Sequence, residues 1–195
     1  MKKLMNNNYI FMHHFLLYLN IMETIINNNN ISDSNKIFFK NLRDYIEIPL
    51  YFYGSIQRFD YINGKSDIDI CIFSDNEIST INKLSFFLLI PKYEFKKFVY
   101  SQNNIQIYGY KLKYKNEVKN LKIEFLIYNN KFKNFVLDDK KKHIFMPFYI
   151  SFLLYLLKNI YYYTNFISKD SYWIYKRFII NNLNGDYDKK FVLLD

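Results

Sequence analysis

Short apolar runs alternate with polar breaks along this chain, and the period of each run predicts its element. Residues 9 to 26 place Ile10, Phe11, Phe15, Leu16, Leu19, Met22 and Ile25 at roughly helical spacing, with apolar side chains on more than one side. A helix packed on a core follows. Asn27 to Asn30 interrupt it with residues of low helix preference. Ser32-Asp33-Ser34 then offers N-caps to a helix running to about Glu47, with Ile37, Phe38, Leu42 and Tyr45 as its apolar stripe. Ile48 to Tyr53 is too short and too apolar for an amphipathic helix and predicts the first central strand, followed by a second around Ile68, Ile70 and Ile72. Ser74-Asp75-Asn76 caps a helix from Glu77 to Ile90 that ends at Pro91.

Beyond Pro91 the period returns to two. Phe95 to Tyr100 and Ile105 to Tyr114 predict strands, Asn116 to Asn120 a turn, and Leu121 to Tyr128 a strand returning antiparallel. On that last strand Leu121, Ile123, Phe125 and Ile127 share one face, and Lys122 and Glu124 the other. Asn129 to His143, crowded with Lys, Asn and Asp, predicts a solvated loop. Two helices, about 147 to 162 and 169 to 183, complete the chain. The window from Ile144 to Tyr163 is nearly of bilayer length, but Lys158-Asn159 breaks it, so a buried helix is expected and no membrane partner. This order predicts an α+β (mixed α/β) fold, a small mixed sheet flanked by helices. N-terminal helices occupy 1–46, the core 47–130, and a C-terminal helical extension 131–195.

Composition changes this picture little. A length of 195 residues suits one domain. The formal charge of +9 would ordinarily suggest a polyanionic partner, but the chain has no alanine, four glycines and three arginines among abundant Lys, Asn, Ile, Phe and Tyr. That is the mark of A/T-rich codons, which supplies lysine without any functional cause. With 20 Phe and 20 Tyr, aromatic residues read as core before they read as base-stacking platforms. His13 and His14 diverge on a helix and cannot chelate one metal together. Lone Cys71 cannot form an intramolecular disulfide, which fits an intracellular, cytoplasmic setting.

The chemistry concentrates between residues 53 and 70. Gly54-Ser55 ends the first strand, and after an eleven-residue spacer Asp67 and Asp69 flank Ile68 on the second. Strand side chains alternate, so both aspartates point one way and the isoleucines the other. Paired carboxylates on a rigid strand repel and call for a cation, hard oxygen donors favouring Mg²⁺ or Mn²⁺. A Gly-Ser turn offers a close backbone approach and a hydroxyl suited to phosphate oxygens.

Gly-Ser, a spacer of about ten residues, and Asp-x-Asp on a strand resemble the signature of the DNA polymerase β-like nucleotidyltransferase superfamily, over about residues 47 to 128. The resemblance implies a third acid on a later strand, and Glu124 occupies that place. Many relatives carry a glycine four residues after the serine, where this chain has Phe59. The resemblance further implies transfer of a nucleoside monophosphate from an NTP to a hydroxyl of RNA, a small molecule or a protein, with release of pyrophosphate. Asp67, Asp69 and Glu124 would hold two Mg²⁺ or Mn²⁺ ions, and Gly54, Ser55, Lys65 and Ser66 the nucleotide, with Arg58, Lys111 and Lys113 as further cations. Two other functions share the motif. One is a degenerate relative that binds nucleotide or a partner without turnover; the other is a basic nucleic-acid-binding protein, whose binding would be steeply salt dependent and indifferent to Asp69→Ala.

Overall fold

Six strands form one mixed sheet, and its two faces have different tasks. The structure, a computed structural model, describes residues 31–102, 105–164, 166–184 and 190–194; the helix expected over 9 to 26 and His13-His14 lie outside them. Strands β1 (Tyr51–Tyr53), β2 (Ile68–Ser74), β3 (Lys96–Gln102), β4 (Ile105–Asn116), β5 (Leu121–Asn129) and β6 (Lys190–Leu194) stand in the order β1-β2-β5-β4-β3-β6. β2 and β5 run parallel at the centre and the remaining pairs are antiparallel. The helices are α1 (Asp33–Ile46), α2 (Glu77–Leu88), α3 (Lys133–Ile144), α4 (Phe148–Asn159) and α5 (Lys169–Asn184).

Period-two patterning separates the faces. Ile68, Ile70 and Ile72 of β2 and Ile123, Phe125 and Ile127 of β5 form one core with Phe38, Phe39 and Leu42 of α1 and Ile81 and Leu84 of α2. Burying each such side chain is worth about 1.5–3 kcal/mol, so this face anchors the sheet. Cys71, Phe73, Leu126 and Tyr128 point the opposite way, into a second core with Val136, Leu137 and Ile144 of α3. Asp69 and Glu124 share that second face. The caps are as expected: Ser32 accepts from the Asn35 N–H at 3.4 Å and Asn76 from the Ser79 N–H at 2.9 Å.

Several expectations are corrected. Residues 133–144, expected as a solvated loop, form α3, because Val136, Leu137, Lys140 and Ile144 lie at helical spacing within the charged run and two of its apolar side chains are fully buried. Its Asp139 is buried too and accepts a 2.8 Å hydrogen bond from the Tyr100 hydroxyl. α1 is rotated from its expected stripe: Phe38, Phe39, Leu42 and Ile46 are buried, whereas Ile37 and Tyr45 are exposed. β1 is only three residues long, since Pro49 has no N–H to contribute and disturbs the residue before it. The helix expected to be buried, α4, buries only Ile150, Ser151, Leu154 and Lys158 and leaves Phe148 and Phe152 exposed. It passes into a π-helical turn at Ile160–Thr164. β6 was not expected; it extends the sheet beside β3. Among the described residues no helix is long and apolar enough to cross a membrane.

Candidate active site

Strand register brings the acids together. Asp69 sits directly opposite Tyr53 on one side and Glu124 on the other, so three strands converge on one carboxylate. Asp67 lies one residue before β2 and two residues from Asp69, on the same face. Burial, then the charges of Glu124 and Asp67, push the Asp69 carboxyl up to about 7 against the pull of Lys176 and Lys140. Such crowding of negative charge is what a bound cation relieves.

The turn after β1 lies against this acid. Gly54 adopts φ +74°, a left-handed conformation, and opens a single-turn 3₁₀ helix, Gly54–Gln57. A Cβ built on Gly54 would collide with Asp69 Oδ2, so glycine is required both by the backbone and by the neighbouring carboxylate. Gly54→Ala should therefore cost about 1–3 kcal/mol in thermal unfolding and also displace Asp69, cutting transfer. Gly64→Ala is the control. Gly64 has φ +71° and would press only on the Asn120 side chain, so it should lose stability while keeping transfer.

A cavity of about 400 Å³ opens in front of the acids. Gly54, Ser55, Asp67, Asp69, Glu124 and Ser66 all reach it, whereas Lys65 is exposed outside it. The Ser66 hydroxyl accepts from the Ile62 N–H at 3.2 Å and so also holds the spacer loop. Arg58, Lys111 and Lys113, named above as further cations, line the cavity as well. Lys111 Nζ lies 2.7 Å from Glu124 Oε1, and Lys113 Nζ 4.0 Å from Oε2.

The opposite wall comes from residues whose part in the site the sequence did not disclose. Lys140 of α3, Lys158 of α4, Tyr162 of the π-helical turn, and Tyr172, Trp173 and Lys176 of α5 face the acids across the cavity. In the sequence Lys158 shows only as a break in an apolar run, and Lys140 only as part of a charged stretch. Tyr172 stacks on Tyr161 with centroids 4.4 Å apart, and Lys176 lies 4.7 Å from the Trp173 ring centroid. The wall is fastened by a buried triad. Arg58 Nε donates to Asp60 Oδ1 at 2.6 Å, and Lys158 Nζ to Asp60 Oδ2 at 2.9 Å and to the Asp60 carbonyl at 2.8 Å.

Asp67 and Asp69 suit a hard cation in donor type and placement, with Asp69 short of positive charge. Glu124 is the right type but is engaged by lysine. Among the described residues no three His, Cys, Asp or Glu side chains are grouped to hold a metal ion.

Comparison with known proteins places the chain in a family. A model of the nucleotidyltransferase domain matches residues 35–156, a range that contains Gly54-Ser55, Asp67, Asp69 and Glu124 and ends before α5. The chain is also similar to a chain of a solved GLD-2/RNP-8 complex, with 14% identity, coverage of 89% of this chain and 67% of that one, and a TM-score of 0.38. No curated protein matches it. With the domain match spanning more than half of the sequence, the chain belongs to the nucleotidyltransferase domain family, enzymes of the polymerase β-like superfamily that transfer a nucleoside monophosphate.

Proposed function

We propose that this enzyme transfers a nucleoside monophosphate from an NTP to a hydroxyl of RNA, releasing pyrophosphate, with a divalent cation, Mg²⁺ or Mn²⁺, at the carboxylates. The observation that carries the reading is the convergence of Asp67, Asp69, Glu124 and the Gly54-Ser55 turn on one cavity. Asp67 and Asp69 would hold the cation that accompanies the triphosphate, and Glu124 would complete the set on the acceptor side. When bound, the metal supplies charge neutralisation at phosphate and a lowered pKa for the acceptor hydroxyl. Ser55 and the open backbone at Gly54 would take the β- and γ-phosphates, and Lys140 and Lys176 would offset charge on the departing pyrophosphate. Trp173 and Tyr172 give the base an apolar wall.

RNA is favoured among acceptors by the surface beyond Glu124. Lys113 and Lys115 of β4 are exposed, and Lys115 is paired in register with Lys122 of β5, which shares a face with Glu124. Like charges directly opposite each other destabilise a sheet; Glu117, 2.7 Å from Lys115, offsets part of that cost, and a polyanionic strand crossing the lysines would offset the rest. The test is incubation of purified protein with each labelled NTP, Mg²⁺ or Mn²⁺, and either total RNA or a small-molecule extract. Label in RNA together with pyrophosphate release is expected. Label confined to small molecules or protein overturns the acceptor, and binding of NTP without pyrophosphate identifies a degenerate relative.

A further inference from the structure

Lys111 stands in an unusual place for a cation beside a metal-binding acid. In the β4–β5 register the direct partner of Glu124 is Lys113, and Lys111 reaches Glu124 diagonally from its position opposite Leu126. Yet it is Lys111 that makes the close contact, 2.7 Å, while Lys113 stays at 4.0 Å and exposed to solvent. Both members of the Lys111–Glu124 pair are sheltered, with side chains 19% and 18% accessible, so water screens them less than a surface pair. An oxygen held 2.7 Å from an ammonium is already charge-paired, and a dication placed beside it would face the lysine's own charge.

Lys111 has a second destination. It lines the cavity shared by Ser55, Lys140 and Lys176, where a triphosphate would bring several negative charges. We infer that Lys111 neutralises Glu124 while nucleotide is absent and transfers to the triphosphate when nucleotide binds, so that the acceptor-side cation position forms only afterwards. Nucleotide and the second cation thus bind in a fixed order. This rests on the nucleotidyl-transfer reading of the same site, and it makes Lys111 a positioning residue acting through Glu124.

The test counts Mn²⁺ ions by the spin-resonance signal of the free ion. Intact protein is titrated with and without an ATP analogue whose α,β-bridging oxygen is a methylene group. The wild-type protein is expected to hold one Mn²⁺ alone and a second only with the analogue. Lys111→Met should bind the second ion without analogue, about tenfold or more tighter than the wild type does, because an ion pair no longer has to be parted and the lysine's charge no longer opposes the dication. Lys111→Arg, which keeps the charge, should behave as the wild type, and Lys111→Gln serves in place of the Met variant if that melts early. Equal Mn²⁺ binding by wild type and Lys111→Met, with or without analogue, overturns the inference and leaves the nucleotidyl-transfer reading standing. Absence of bound Mn²⁺ in every protein overturns both.

Discussion

Asp69→Asn is expected to lower nucleotidyl transfer by at least about a thousandfold while leaving the fold intact. The substitution keeps the shape of the side chain and removes the charge that would hold a cation. Asp69 lies at the centre of the site, opposite Tyr53 and Glu124 in register and against the Gly54 backbone, so no other carboxylate can take its place without moving a strand. Stability should stay within about 1 kcal/mol of the wild type or rise, because burial and the charges of Glu124 and Asp67 already disfavour the ionised carboxylate. Pyrophosphate release and thermal unfolding of the same preparation check both parts. Wild-type turnover in Asp69→Asn would remove this acid from the mechanism.

The catalytic half of the molecule was legible because its signals are local. Asp67 and Asp69 alternate with Ile68 and Ile70, so the face carrying the acids and the face carrying the core are written in the same few residues. Gly54-Ser55 marks the end of β1, and Glu124 interrupts an otherwise apolar alternation on β5. Ser32 and Asn76 cap their helices by bonds to neighbours three residues on, which depend on nothing distant.

The far wall of the site was not legible, because what places it is non-local. In α3 the lysines and aspartates outnumber the apolar residues, and its buried side rests on Val136, Leu137 and Ile144, which show their purpose only once the sheet is present to receive them. Asp139 lies on that buried side because Tyr100, 39 residues earlier, donates to it. The exposed aromatic residues of α4 and the cavity-facing ones of α5 look alike in a chain so rich in both. Nor does Lys158 announce a partner 98 residues away.

That partner sets the largest expected effect on stability. Asp60 is fully buried between two cations, with the Arg58 and Lys158 side chains only 9% and 5% accessible. Burial acts to raise the Asp60 carboxyl, but hydrogen bonds and charge from Arg58 and Lys158 outweigh it and hold the carboxyl below its ordinary 3.8. Lys158, with one carboxylate against two neighbouring cations, Lys176 and Arg58, is pushed down to about 8, by burial first. Asp60→Asn leaves two buried cations without a counter-charge and should cost about 3–5 kcal/mol. Lys158→Met leaves the Arg58–Asp60 pair intact and should cost about 1–3 kcal/mol. The double variant should lose less than the two single losses combined, since Asp60→Asn strands the Lys158 charge that Lys158→Met removes, and both single changes forfeit the same Lys158–Asp60 ion pair. Denaturant titrations of the three proteins measure this, and strict additivity would show that the triad does not act as a unit.

Acid provides an independent reading of the same group. A carboxyl with a lowered folded value contributes stability that is complete above its unfolded value and is lost as the pH falls through the folded one. The wild type should therefore lose stability below about pH 4 more steeply than Asp60→Asn, which has no such proton to gain. The triad ties the spacer loop to α4, and α4 with α5 carries Tyr172, Trp173 and Lys176 over the acids. Lys158→Met should accordingly weaken NTP binding, seen as a raised KM, before it slows the chemical step, because it loosens the wall and leaves Asp67, Asp69 and Glu124 where the strands put them.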